Sequence, residues 1–538
     1  MTTLATTPGL YFTVARRPAE ASPLRSDVAG FLGRTRRGPV GQPVRVEQWK
    51  GYLREFGGLR KDSSTTYAIR GYFENGGEVA YVVRLCGEGS QVAWALWKVG
   101  ELDDNGQWTT NSPAAFTYAQ YRIEATSPGE WANGTRVVIR YQLQGASGGP
   151  EIDVAVQAPN EPAEYLVGLA PDALTSQIEA RSLVIRVTPD GPPAQSCLLK
   201  PGSHHFEWEL TLQAGAEGEK LTTQEYLNAA RKLGDEDKVE LATAPSLEVA
   251  LVAVPGLYED LIESRDQEEV LVALITQAEQ LHDRLVLVDI PADPENTDDA
   301  IKETNKALQW VARLRDLNDG QMMRAAAVYH PRLWVSDPLG GVVKPLRSVP
   351  PSGHIAGFIS WLDRQRGAHH TPANAPLFDA VDVTRSFPKA EQARFNDDGI
   401  NLVRCFPGRG LVVWGGRTLE RERGGRFIAH RRLIHRLVRV IRRVAEPLVF
   451  DINGPELWLT IVRAITTILL EAWRAGALQG NRPEEAFQVQ CDEKTTPAEE
   501  QELGRVVCEI AVAPAVPMEF ILLRIALSTD GVLEVFES

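Results

Sequence analysis

The sequence predicts a multidomain α+β protein: an α/β core interrupted by a β-rich insertion, then a helical C-terminal domain, with extended strand-forming arms at both ends. Three observations predict it. Between residues 245 and 330 apolar strand-like runs alternate with amphipathic helical ones. From about 91 to 215 the pattern changes to short alternating, aromatic-rich strands, and past 420 two long amphipathic helices precede a final set of strands.

In chain order, residues 6–23, TTPGLYFTVARRPAEASP, hold one short strand-like run at 10–14 between prolines and nothing that forms a core alone, so they read as an arm. Next come the apolar run VAGFLG at 28–33, a helix near 64–73 and a strand at 79–85. TRVVIRYQLQ, EIDVAVQ and RSLVIRVTP are strands of the insertion, joined by Gly, Pro and Asn turns. LEVALVAVPG, RLVLVDIP and RAAAVYHP are strands separated by the helices DQEEVLVALITQAEQLHD and TDDAIKETNKALQWVARLRDL, an order that implies parallel pairing through right-handed crossovers. Of the two late helices, the first sets Leu433, Leu437, Ile441 and Val444 on one side and Arg432, Arg436, Arg439 and Arg443 on another. The second, at 457–473, buries Trp458, Ile461, Val462, Ile465, Ile468 and Leu469. VVCEIAVAPAV is a strand broken by Pro514 and Pro517, and two more strands follow at 520–527 and 532–536, with an Asp530-Gly531 turn between them. This tail is strand-competent but coreless. Two such ends either fray or donate their strands to a neighbour's sheet.

A chain of 538 residues exceeds one core and implies about three or four domains. The expected divisions are an N-terminal arm at 1–20, the first part of the core at 21–90, the insertion at 91–240, the α/β domain at 241–400, a C-terminal domain at 401–516 and a C-terminal arm at 517–538. No apolar stretch approaches the roughly 20 residues that cross a bilayer, and the start lacks a basic segment followed by an apolar one, so assembly in the cytoplasm is expected. Five scattered cysteines with no C-x-x-C pair point to reduced thiols. A net charge of −14 disfavours a dedicated nucleic-acid binder.

Single motifs carry little chemistry. In FPGRGLVVWGGRT (406–418), Gly410 and Gly415 have Walker A spacing, but Gly416 stands at the lysine position, Arg417 and Thr418 come one place late, and Leu411-Val412-Val413-Trp414 wants burial as a strand. GASGG at 145–149 matches G-x-S-x-G, yet it lies between two alternating strands, where a hairpin loop is the reading, rather than on a strand-to-helix turn. His204-His205 and His369-His370 lack a thiol or carboxylate at ligand spacing, and the acidic 259–303 region reads as solvated helix faces. The arginine-rich 421–443 segment is different. It could track phosphates, but only Phe427 interrupts it, so a protein partner is favoured, with the acidic 259–303 region of a neighbouring copy as its complement.

Five phrases taken together resemble one family, the sheath proteins of contractile phage tails and of related bacterial contractile injection systems. They are AIRGYFENGGEVAYVVRL (68–85), SPGEWANGTRVVI (127–139), VPPSGHIAGFISWLDRQRGAHHTPANAPL (349–377), DDGINLVRCFPGRGLVVWGGRTL (397–419) and AGALQGNRPEEAFQVQCDEKTTP (475–497). The resemblance implies a structural subunit, not an enzyme and without cofactor or metal, that polymerises as stacked hexameric rings around an inner tube and contracts from a metastable extended state. Its α/β segment would be subtilisin-like, with no Ser/His/Asp set carried over. Implied partners are other copies of the chain, the tube, baseplate and cap proteins and an AAA+ ATPase, with no membrane insertion, in a phage tail or a particle released by lysis. Inter-subunit strands would come from Leu10, Tyr11, Phe12 and Val14 at one end and Phe520, Ile521, Leu523, Val532, Leu533 and Val535 at the other. Arg432, Arg436, Arg439 and Arg443 would meet the tube or a neighbouring subunit. The 91–235 insertion and the extension past Leu527 depart from shorter relatives. The competing readings are an α/β-fold hydrolase and a basic-helix nucleic-acid binder.

Overall fold

The structure, a computed structural model, describes residues 25–99, 120–142, 149–190, 205–234, 248–292, 299–317, 323–422, 424–448, 451–515, 521–527 and 533–537. Its central feature is an eight-stranded sheet assembled from two distant parts of the chain. The first part supplies β1 (Ala29–Gly33), β2 (Val44–Glu47) and β3 (Val79–Arg84). The chain then leaves through the insertion, whose strands are β4 (Trp94–Lys98), β5 (Gln120–Ala125), β6 (Arg136–Gln142), β7 (Glu151–Gln157), β8 (Glu164–Leu169), β9 (Ile185–Pro189) and β10 (His205–Thr211). It returns with β11 (Leu251–Ala253), β12 (Leu285–Asp289) and β13 (Ala326–His330), followed by a small sheet of β14 (Leu333–Ser336), β15 (Leu346–Val349) and β16 (Asp382–Val383). The hairpin β17 (Ile400–Phe406) and β18 (Gly410–Trp414) closes the large sheet.

The order of the large sheet is β18-β17-β13-β12-β11-β1-β3-β2. Its six central strands run parallel, and the edge strands β18 and β2 run antiparallel. The parallel ladder agrees with the strand and helix alternation in the sequence, because a crossover helix must return the chain to the same end of the sheet. Alternate residues feed two cores. Val252, Val286, Val288 and Val328 face the helices Thr223–Gly234, Ser264–Leu281 and Ala300–Leu317. Leu251, Ala253, Leu285, Leu287 and Tyr329 face the helices Ser64–Glu74 and Ser352–Arg366. A sheet covered on both faces reads as near-continuous apolar runs, which is what LVLVD and AAVYH are.

The helices Ser64–Glu74 and Ser352–Arg366 pack with their backbones almost touching. A Cβ on Gly353 would lie 2.2 Å from the Ala68 carbonyl oxygen, and one on Gly357 would lie 2.2 Å from that of Tyr72. Only glycine allows that approach.

The insertion folds around its own core. Two antiparallel sheets, β10-β6-β7-β8 and β4-β5-β9, bury Trp97, Tyr121, Ile139, Val154 and Leu169 between them. Its two connections to the body run side by side: Gln91 and Ala216 exchange backbone hydrogen bonds at 2.9 Å, and Glu219 N–H donates to Glu88 O at 2.9 Å. Fully buried Arg84 donates to Gly38 O at 2.9 Å and to Pro128 O at 2.7 Å, tying β3 to the insertion. The helix Thr223–Gly234 lies inside the 91–240 span expected for the insertion. It packs instead on the large sheet, through Tyr226, Ala229, Ala230 and Leu233.

Candidate assembly interface

The C-terminal sheet has the order β19-β20-β21-β22, made of β19 (Phe487–Gln490), β20 (Val506–Val512), β21 (Ile521–Leu527) and β22 (Leu533–Glu537). β20 anchors it. Its alternate residues Val506, Cys508, Ile510 and Val512 pack on Leu433, Leu437 and Ile441 of the helix Ile428–Ala445, and on Trp458, Ile461, Ile465 and Leu469 of the helix Pro455–Arg474. β21 then adds antiparallel to β20 and β22 to β21.

This corrects the expectation of a coreless tail. Ile521 and Leu523 stand opposite Val512 and Ile510, and Leu533 and Val535 stand opposite Leu527 and Ile525, all within one chain. The physical reason is that β20 is held by the two helices and offers a free ladder edge, which the nearest complementary strand in sequence fills. Among the described residues no strand pairs with the outer edge of β22. Leu10, Tyr11, Phe12, Val14, Phe520 and Val532 lie outside the described residues.

The arginine stripe is also redistributed. Arg432 is buried, and its guanidinium makes a two-pronged pair with Asp363 at 2.6 Å and 2.6 Å while donating to Ser26 O at 2.7 Å. Arg439 is buried too, and burial lowers its pKa despite nearby Asp283; its Nη1 has no hydrogen-bond partner among the described residues. Arg436 is exposed and Arg443 half-buried, so the expected contact face loses two of its four members. The cause is the breadth of the apolar arc: Ile428, Ala429, Leu433, Ile434, Leu437, Val438 and Ile441 are all buried, which leaves no room for a solvent stripe as wide as the arginines would need.

The acidic complement expected on another copy lies in the same chain. Arg431 Nη2 sits 3.1 Å from His282 Nδ1 and 3.6 Å from Glu279, and Arg442 donates to Leu281 O at 2.6 Å and lies 3.4 Å from Asp283. These groups mark the C-terminal end of the helix Ser264–Leu281, where free carbonyls favour a cation. Burial, then the charges of Arg431, His282, Arg432 and Arg439, hold His435 well below the usual imidazole range. With Arg432 and Arg439 buried, half of the stripe is spent inside the protein, which removes support from the nucleic-acid reading.

The glycine run is a hairpin. Val403 pairs with Val413 and Phe406 with Gly410, while Gly408 and Gly410 take φ of 75° and 72°, which the reversal requires. Arg404 and Arg409 lie over the Phe406 ring, 4.6 Å and 5.7 Å from its centroid. Past β18, Asn401 is buried beneath Gly415. Its Oδ1 accepts from Arg417 N–H at 2.8 Å, and its amide donates to Arg417 O at 2.7 Å and Val328 O at 3.0 Å. The backbone groups of this run are therefore spent on the protein itself. Of GASGG, only Gly149 is described; the stretch connects the directly paired strands β6 and β7. His204 is outside the described residues, and His205 lies in β10. His369 and His370 place their rings 4.3 Å apart, and burial lowers the pKa of His369. Among the described residues no three His, Cys, Asp or Glu side chains gather as a metal site, and no helix is long and apolar enough to cross a membrane.

Comparison with known proteins agrees with this architecture. Residues 219–419 match the phage tail sheath protein central domain. A tail sheath protein of Vibrio phage KVP40 is 28% identical over 190 residues, 34% of this chain but 27% of that protein, so the chain matches little more than a quarter of that relative's length. In structure, the sheath tail protein of Listeria innocua superposes over 94% of this chain and 96% of its own, with a TM-score of 0.63 at 12% identity. The helical sheath of the anti-feeding prophage in its contracted state does so over 96% and 98%, with a TM-score of 0.51 at 22% identity. The class these point to is that of contractile tail sheath proteins. This chain resembles the phage tail sheath central domain over residues 219–419 and shares the fold of sheath proteins over nearly its whole length.

Proposed function

We propose that this chain is the structural sheath subunit of a contractile injection machine, polymerising as hexameric rings around an inner tube and contracting from a metastable extended state to drive that tube through a target envelope. The observation that carries the reading is the sheath central domain at 219–419 inside a fold that superposes on sheath proteins over 94% of the chain. On this reading the eight-stranded layer is the subtilisin-like sheath domain. The edge of β20 that takes β21 within one chain takes it from a neighbouring copy in the lattice, and the outer edge of β22 receives the segment 10–14 of another. Strand exchange of this kind is heterologous and does not close, which generates a helix. Each donated strand adds about four to six backbone hydrogen bonds at about 0.5–1.5 kcal/mol net, enough to tether bodies that must still rotate. Pro18, Pro23, Pro514 and Pro517 flank the strands as hinges. Contraction then uses no nucleotide: the extended polymer is kinetically trapped and repacks into a state with more buried contact. Baseplate and cap proteins and an AAA+ ATPase are the further partners of this reading.

Electron microscopy of the full-length protein, expressed with its tube protein, tests it. Striated tubular polymers are expected, and they disappear on deletion of residues 1–20 or of everything past 515. Only dispersed particles from the intact protein would overturn the reading.

A further inference from the structure

Cys491 and Cys508 face each other across the C-terminal sheet. Gln490, the last residue of β19, stands opposite Glu509, so the same antiparallel register sets Cys491 opposite Cys508 one step on. The ladder fixes the kind of pair. Ala513 N–H donates to Ala486 O at 2.8 Å, in the same register, which makes that position hydrogen-bonded. Hydrogen-bonded and non-hydrogen-bonded positions alternate along an antiparallel pair, so Cys491 and Cys508 occupy a non-hydrogen-bonded one, where Cα atoms stand about 4.5 Å apart and side chains come closest. That lies within the roughly 4.4–6.8 Å that a disulfide spans.

Both side chains point inward with Phe487, Ile510 and Val512, and both thiols are free. The neighbouring Cys491 thiol, then burial, raises the Cys508 thiol above its ordinary range. Cys491 is the more accessible, at 9% exposure against 1%. Cys405 is exposed on the β17–β18 hairpin, Cys86 is buried in the body, and Cys197 lies outside the described residues.

We propose that Cys491 and Cys508 form a redox pair that closes to a cross-strand disulfide when the protein meets a small-molecule disulfide such as oxidised glutathione. Cys491 attacks one sulfur of the oxidant, giving a mixed disulfide and one glutathione. Cys508 then displaces the second glutathione and completes the Cys491–Cys508 bond. The protein gives up two protons and two electrons, and the oxidant leaves as two thiols. The bond staples β19 to β20, the strand that carries β21 and β22, around the turn and the short helix Ala498–Glu502. Closure in an oxidising medium restricts the unfolded chain and hardens this sheet after the protein leaves a reducing compartment. None of this depends on the sheath reading.

The test holds full-length protein below its melting transition in glutathione buffers of increasing oxidised fraction until successive time points agree. The samples are then acid-quenched, the free thiols alkylated, and the peptides mapped by mass. A peptide pair joining Cys491 to Cys508, lighter by two hydrogens, is expected, while Cys405 gains a glutathione. The oxidised protein should melt several degrees higher, and Cys508→Ser should abolish that rise while leaving the far-UV circular dichroism unchanged. Alkylation of both cysteines at the most oxidising poise, separate glutathionylation of each, or linkage of either to another cysteine would overturn the proposal.

Discussion

Arg432 and Arg436 sit one helical turn apart with opposite fates. Arg432 is enclosed against Asp363, whereas Arg436 is exposed. Replacing Arg432 by methionine leaves a buried carboxylate without its cation, a change expected to lower stability by about 3–5 kcal/mol. Arg436→Glu should alter it by no more than about 0.5 kcal/mol. Denaturation of the two variants side by side checks this, and equal losses would refute the assignment. His354 carries a pH dependence. It is fully buried, and burial pushes its pKa from 6.5 down to about 4, with Arg70 acting the same way and the Asp379 backbone opposing. The fold therefore holds it neutral while the unfolded chain takes a proton near 6.5. The stability it confers is complete above that value and fades as pH falls towards 4, by about 3 kcal/mol at most. Asp289 and Asp260, raised by burial to about 6, act in the opposite sense: what they contribute grows as pH falls from 6 towards 3.8. Comparing wild type with His354→Gln isolates the histidine. The gap in thermal midpoint between them should narrow from pH 7 to 4.5, and a constant gap would sink the assignment.

The pair of helices Ser64–Glu74 and Ser352–Arg366 depends on contact between main chains. Gly357→Ala puts a methyl against the Tyr72 carbonyl, which cannot move without parting the helices. A loss of about 1–3 kcal/mol is expected, read as a lower thermal midpoint, whereas Gly424→Ala, with open space around its Cβ, serves as the neutral control. Neither Gly353 nor Gly357 looks special in sequence, because the requirement comes from the helix that carries Ala68 and Tyr72, far away along the chain. By contrast, β12, β13 and the helices around them were legible: runs such as LVLVD have one stable use, a strand buried on both faces, and each is bounded by a strong amphipathic pattern. The tail strands were legible as strands but not as an in-chain sheet, since alternation says that a strand needs a partner and not which one. The arginines of the Ile428–Ala445 helix misled for a related reason. Charge marks a solvent face only where carboxylates and carbonyls from other elements do not come to meet it, as Asp363, Glu279 and Leu281 do here. Cys491 and Cys508 were unremarkable in spacing; only the β19–β20 register brings them together.

At the scale of the whole molecule, the paired connections at Gln91 and Ala216 make the insertion separable. Replacing residues 92–215 by a short Gly-Ser linker should leave a folded body that keeps the far-UV signature of the eight-stranded sheet and a cooperative melt. An aggregated or unfolded product would mean that the body needs the insertion's sheets. Arg84 would lose its bond to Pro128 O, and Arg36 its bond to Pro159 O. The strand order has a further consequence, for synthesis. β1 lies between β3 and β11 in the middle of the large sheet, yet β11 is made more than 200 residues later. On the ribosome, β1 to β3 must wait with one ladder edge open and one apolar face uncovered while the whole insertion emerges, since only the other face meets the helix Ser64–Glu74 made before it. The insertion needs nothing from downstream and can fold first, bringing its two ends together at Gln91 and Ala216. It thereby shortens the loop that the nascent chain must close before β11 reaches β1, which makes the order of translation part of how this sheet is built.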